Sequence, residues 1–203
     1  MAHGRRSPAG NLLSRMRPRR LLTGLTCALA IVASGCGVEE VTTEADTEGI
    51  WVDVGQLDYH VQGSRQLNPF QVPDDRYLTG LPDGYGDPDA TQTWFAIFLR
   101  VENKTDEPAP SAEEFEIEDT QGVRYQPVPL DPSVNPYAYA PTELDAKDNI
   151  PHPDSSAEGS STDGSMLLFK LPLEGYQNRP LEFIVHAPEG SEGPEEALLD
   201  LDV

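Results

Sequence analysis

The chain has 203 residues and 22.2 kDa, with 14 Lys+Arg against 35 Asp+Glu, a formal charge of −21 and a pI near 4.3. A phosphate backbone is gripped by clustered Lys and Arg, so this balance excludes a nucleic-acid binder unless one basic patch is set apart. The basic residues are set apart, but at the N-terminus. Arg5, Arg6, Arg15, Arg17, Arg19 and Arg20 all lie in the first twenty positions and no acidic residue precedes Glu39, which leaves 8 basic and 35 acidic groups, a formal −27, for the remainder.

After the arginines comes an apolar run from Leu21 to Val32, then the small residues Ala33, Ser34 and Gly35, then Cys36. A basic region, a short apolar region and small residues at a cleavage point are the parts of a secretory signal. The run is shorter than the roughly 20 apolar residues that span a bilayer, so a lasting transmembrane helix is not expected. Arg19-Arg20-Leu21-Leu22 partly resembles a twin-arginine signal, which leaves the two export routes open. Met16 begins a signal of more usual length, so the first fifteen residues stand as an optional extension.

The ending Ala33-Ser34-Gly35-Cys36 resembles the lipobox of bacterial lipoproteins, with Ala33 in place of the commoner Leu. The resemblance implies that residues 1–35 are cut away and that Cys36 carries lipid, holding the protein at the outer face of the cytoplasmic membrane. Cysteine usage agrees: Cys27 leaves with the signal, so Cys36 is the only thiol of the mature chain and has no internal disulfide partner. Each buried CH₂ contributes about 0.8 kcal/mol, and stable anchoring takes more than one acyl chain, which this modification would supply.

Residues 36–50 carry five acidic groups and almost no large apolar side chain before Ile50, and are expected to form a flexible tether. From Trp51 to Val203 the pattern is one domain of short period-two runs separated by Pro, Gly, Asn and Asp. Val52 to Val61 is predicted as one strand with a bulge near Gly55. Thr93 to Val101 is the strongest strand, apolar on both faces and therefore central and covered on both sides. Phe115 to Glu118 and Val123 to Tyr125 form a hairpin with one wet face. Met166 to Leu171, Leu181 to Val185 and Leu199 to Val203 complete the set. The 17 prolines after Cys36 argue against long helices. About seven strands at these spacings imply an all-β, immunoglobulin-like antiparallel sandwich. Two Pro/Gly-rich connections, residues 63–92 and 127–163, are far longer than usual and are either functional or disordered.

The succession Phe98-Leu99-Arg100-Val101-Glu102-Asn103, a polar turn at Lys104 to Pro108, a strand at Phe115 to Asp119, Gly122-Val123-Arg124-Tyr125, and Gly164 to Pro172 resembles a sandwich domain of many Gram-positive lipoproteins. That domain has no assigned function and is related to a secreted immunogenic protein of mycobacteria. The resemblance covers residues 52–187. It implies an immunoglobulin-like fold and an extracellular station, and it brings no catalytic residues.

The remaining chemistry is sparse. There is no Gly-x-Ser-x-Gly elbow, and only His60, His152 and His186 of the mature chain offer a base, so no enzyme is expected, a hydrolase being the remote alternative. Met166 is the mature chain's only Met, too few for a soft copper site. Asp83, Asp87 and Asp89, near Asp74 and Asp75, offer hard oxygen ligands on a Gly-rich loop for Ca²⁺ as a cofactor, although such a loop is also a common solvated turn. Tyr137 and Tyr139 are two apart, so an extended segment points both the same way, either toward a protein or glycan partner or onto the sandwich. Asn103-Lys104-Thr105 fits a glycosylation triplet, incidental in an exported bacterial lipoprotein. The expectation is a non-catalytic interaction or ligand-binding module, with a calcium-stabilised or solute-binding envelope protein as the alternative.

Overall fold

A computed structural model describes residues 41–201. The strands in chain order are β1 (Glu44–Ala45), β2 (Trp51–Val54), β3 (Leu57–Leu67), β4 (Gln92–Glu102), β5 (Ala109–Pro110), β6 (Glu114–Glu118), β7 (Arg124–Tyr125), β8 (Glu143–Leu144), β9 (Asn149–Ile150), β10 (Ser165–Pro172), β11 (Leu181–His186) and β12 (Glu196–Leu201). Two single-turn helices, α1 (Asp74–Tyr77) and α2 (Leu173–Gln177), interrupt them. Among the described residues no helix is long and apolar enough to cross a membrane. Seven strands have four or more residues, and the fold is the all-β sandwich that the alternation predicts.

One sheet has the order β10-β4-β3-β2, with β9 added at the end of β4; the other has the order β1-β12-β11-β6-β7; β5 and β8 form a separate ribbon. All pairs are antiparallel except β1 with β12. β4 sits between β3 and β10 because both of its faces are apolar. Phe95, Ile97, Leu99 and Val101 enter the core between the sheets, opposite Phe115, Ile117, Phe183 and Val185. Trp94, Ala96 and Phe98 enter a second cluster on the outer face of the first sheet, with Leu67, Tyr77, Val128, Met166 and Leu168.

That second cluster decides the fate of the long connections. Leaving Trp94, Phe98 and Leu168 in water would forfeit roughly 2 kcal/mol for each side chain, so residues 68–91 and 127–163 fold over them as cover. Two buried carboxamides fix the cover. Asn135 donates through Nδ2 to the carbonyls of Tyr77 (2.8 Å) and Thr79 (3.0 Å), tying one long connection to the other. Asn103, first residue of the Asn-Lys-Thr triplet, donates inward to the carbonyls of Glu107, Leu144 and Asp145 and accepts from Thr105.

Three expectations are corrected. Val52 to Val61 is a hairpin and not one strand: Val54 pairs with Leu57, and Gly55, at φ +59, supplies the positive φ that the first position of a tight two-residue turn requires. The bulge lies further on, between Val61 and Gly63, and β3 then continues to Leu67. The acidic segment is not a free tether over residues 41–50. Thr43 accepts from the Leu198 N–H (2.9 Å), Thr42 accepts from the Asp53 N–H (2.7 Å) and donates to the Asp53 carboxylate (2.6 Å), and the Gly49 N–H reaches the Val61 carbonyl (3.0 Å). Ala45 is buried in the core. Backbone pairing at the open edge of β12 does the docking, which apolar patterning does not register.

Candidate functional site

Ala33, Ser34, Gly35 and Cys36 lie outside the described residues. Asp83, Asp87 and Asp89 do not assemble a calcium site. Asp89 accepts from the Thr91 N–H (2.8 Å) and hydroxyl (2.6 Å), and these two bonds hold its carboxyl below the usual range. No group of three or more His, Cys, Asp or Glu among the described residues is placed to hold a metal. Within this loop Asp89 caps Thr91, and the Gly86 carbonyl accepts from Lys170 of β10 (2.9 Å).

Tyr137 and Tyr139 do not form a shared outward face. Tyr137 still belongs to the turn that follows Asn135, where its N–H bonds the Asn135 side chain, and its ring packs edge-on against Tyr77 at 4.9 Å. Tyr139 lies past the turn, 8% exposed, against Phe115 in the core between the sheets. Its hydroxyl donates to the Ala112 carbonyl (2.9 Å), while the Tyr59 hydroxyl accepts from the Ala112 N–H (2.7 Å), so two rings from different parts of the chain hold the peptide groups on either side of the buried Ala112. Burial pushes both phenols upward, and both stay protonated.

The histidines stand apart from one another. His60 packs against Trp51 with the rings tilted by 32° and their centroids 4.7 Å apart. His152 faces Asp148 at 3.6 Å. His186 lies between Glu116 (3.3 Å) and Glu196 (3.8 Å) on the outer face of the second sheet.

Sequence patterning did not single out the cleft at the far end of the β3–β4 ladder. It has a volume of about 520 Å³ and is built by the last residues of β3, the first of β4 and the connection that follows β3. Register places Leu67 beside Trp94 here, and Asp58 beside Glu102 at the opposite end. Arg65 leaves β3 to pair with Asp74 at the start of α1 (2.7 Å), and its guanidinium lies over the rings of Tyr77 and Phe98 at 5.8 and 5.7 Å. Burial raises the Asp74 carboxyl, but Arg65 and the Asn68 N–H (2.8 Å) outweigh it and hold the group below its ordinary value. Asn68 in turn accepts from the Phe70 N–H (3.0 Å) and fixes the loop tip, on which the Phe70 ring is 89% exposed. Gln71 and Gln92 add carboxamides to the wall, and Gln66, paired with Phe95, borders it while its side chain faces the other side of the sheet.

Trp94 forms the floor. It is fully buried, Lys170 lies 5.4 Å from its ring, and its indole N–H meets no acceptor among the described residues. A buried donor without a partner costs on the order of 1–3 kcal/mol and calls for an explanation. The sequence offered one signal for this site, a single Phe in a polar Pro-bounded loop; the convergence of Arg65, Asp74 and Trp94 depends on register and is invisible in the order of residues.

A second groove, also about 520 Å³, runs between Pro127, Pro129, Pro141, Tyr139 and Leu167. It is mostly apolar, and Gln126 at its wall is already bonded to Glu116 (2.6 Å).

No family model matches the chain. No curated protein matches it either. Among solved structures it is similar to the yjhA protein of Bacillus subtilis, at 10% identity and a TM-score of 0.49 over 77% of this chain and 99% of that one. It is similar to the ycdA protein of Bacillus subtilis, a candidate lipoprotein, at 11% identity and a TM-score of 0.46 over 80% of this chain and 39% of that one. An uncharacterised β-sandwich protein of Clostridium difficile follows, at 10% identity and a TM-score of 0.42 over 81% and 97%.

Proposed function

We propose that the mature protein is a lipid-anchored extracytoplasmic binding module that holds its distal cleft away from the membrane. The signal-like N-terminus and Cys36 supply the anchor, and the sandwich supplies the site. The observation that carries the reading is where the chain joins the domain. Val41 borders the hollow formed by Gly55, Gln56, Lys104 and Pro194, at the β2–β3 turn, whereas the cleft lies at the opposite end of β3. Five residue steps from Cys36 to Val41 reach at most about 18 Å, and the nine steps from Asp58 to Leu67 add about 30 Å in the other direction.

Binding is the whole of the proposed activity. Among the described residues, the two histidines that meet polar side chains, His152 and His186, face carboxylates and not a hydroxyl nucleophile, an arrangement that favours recognition over acyl transfer. The test is Cys36→Ala. The expected outcome is loss of incorporated fatty acid and transfer of the protein from the membrane fraction to the soluble one. Unchanged membrane association after Cys36→Ala would refute the anchor.

A further inference from the structure

We infer that the distal cleft binds a neutral oligosaccharide bearing N-acetyl groups, a reading that rests on the cleft being the binding site of the module. Three features select this chemistry. The first is the buried Trp94 N–H, which has no acceptor among the described residues and lies under the wall of the cleft; an acetamide carbonyl is a strong neutral acceptor for it. The second is the pair Gln71 and Gln92, whose carboxamides each donate and accept and so complement sugar hydroxyls, which do the same. The third is Phe70, whose ring is held out at 89% exposure by the Asn68 turn, a flat apolar platform for the C–H face of a pyranose.

Charge narrows the choice further. Arg65 is spent on Asp74 (2.7 Å), on the Gln66 carbonyl (3.3 Å) and on two aromatic rings, so it offers no unpaired cation to an anionic ligand. The formal −27 of the chain after Cys36 repels polyanions. Lys170, beside the Trp94 ring, donates to the Gly86 carbonyl (2.9 Å), and a neutral ligand rich in hydroxyls, with at least one amide carbonyl, complements Trp94, Gln71 and Gln92. The wall is predominantly polar, which favours a glycan over a peptide carrying apolar anchors.

The experiment uses the full chain purified in detergent. Trp51→Phe leaves Trp94 as the only indole of the two, and its emission is followed while chitotetraose, a β-1,4-linked N-acetylglucosamine tetramer, is added; cellotetraose, with the same linkage but no acetamides, is the comparison. The expected result is a saturable change with chitotetraose and at least about tenfold weaker binding of cellotetraose. Calorimetry with Phe70→Ala should show about tenfold weaker chitotetraose binding at an unchanged melting temperature, because that ring touches solvent and not the core. No emission change and no heat at about 1 mM chitotetraose, in a chain of normal melting temperature, overturns the inference, as does equal binding of cellotetraose. Saturation by a Pro-rich peptide that Phe70→Ala abolishes, with no response to chitotetraose, reassigns the cleft to peptides and also overturns it. Failure of the anchor is separable: a Cys36→Ala chain that is soluble and binds chitotetraose normally supports both readings, and one that stays on the membrane yet binds normally sinks only the anchor.

Discussion

Tyr59→Phe tests the clamp around Ala112, and its cost can be worked from the geometry. The substitution keeps the ring, and so keeps the packing of a fully buried side chain, but removes the oxygen that accepts from the Ala112 N–H at 2.7 Å. Ala112 is itself fully buried, so no water replaces the lost acceptor. A buried donor left without a partner costs about 1–3 kcal/mol. In a domain of this size each kcal/mol moves Tm by about 2–4 °C, so the expected fall is about 4–8 °C for a mid-range cost of about 2 kcal/mol. Tyr139→Phe removes a donor to the Ala112 carbonyl (2.9 Å) and costs about 1 kcal/mol, since a carbonyl tolerates the loss better than an N–H. Thermal melts followed by circular dichroism and urea titrations of both single variants and the double variant measure these values. Because both rings hold the backbone of one residue, the double variant should depart from additivity by at least about 0.5 kcal/mol. A Tyr59→Phe chain within about 0.3 kcal/mol of the parent would show that Ala112 is not sealed, and would reopen Tyr139 as a surface residue.

Three further outcomes are expected. The Leu198 and Asp53 amides should exchange with deuterium at least about a hundredfold more slowly than exposed edge amides, because Thr43 and Thr42 cover them; free exchange at both positions would return residues 41–50 to a loose tether. Glu182→Gln should stabilise the fold by about 0.5 kcal/mol at pH 7 and low salt, and the gain should shrink in about 1 M salt: burial, then Asp200, Glu118 and Glu44, push this carboxyl upward, so its charged form opposes folding above its native pKa, and a loss of stability would contradict that reading. Asp119 has the opposite sign. Burial raises it, but bonds from the Val123 N–H, Asn178, the Gln121 N–H and Tyr125 outweigh burial and hold it low, so its stabilisation is complete above the ordinary carboxylate pKa of about 4 and is lost as pH falls through the lower native value. Melting curves between about pH 5 and 2 should therefore fall less steeply for Asp119→Asn than for the parent, and parallel curves would refute the assignment.

What was legible in the sequence follows from what local patterning encodes. The two-faced alternation of β4 announced a central strand because every position from Trp94 to Leu99 is apolar, and all of them are buried to 1% exposure or less. The β6–β7 hairpin was legible because Glu116 and Glu118 alternate with Phe115 and Ile117 and a Gly turn follows. The β2–β3 hairpin was lost because Gly55 serves a bulge and a tight turn equally well, and only the Val54–Leu57 pairing separates them. The long connections were ambiguous for a related reason: their few apolar residues, Tyr77, Val128 and Tyr137, gain meaning only beside the outer face of β4. The cleft was hidden most completely. Arg65, Asp74 and Trp94 each had a plausible local role, and nothing in their order along the chain reports that strand register brings them to one end of the sandwich.

Under the proposed anchoring, the distribution of charge also sets how the domain stands. The outer face of the second sheet carries Glu182 between Asp200 and Glu118, and Glu116 and Glu196 around His186; on it Arg124 balances only Glu116 and Glu118. A leash of at most about 18 Å would let the domain tip until this face met the bilayer. Charges held within a Debye length of about 8 Å of an anionic surface feel an appreciable part of its repulsion, so the tipped arrangement would bring several carboxylates against like charge with few cations to offset them. Standing on the β2–β3 turn would point the acidic face sideways and bring Lys104 and Lys147, two of the three lysines after Cys36, to the anchored end, where they pair with Asp58 and Asp106. Under that anchoring, leash length and the acidic outer face would both favour an arrangement with the Trp94 cleft at the end farthest from the lipid.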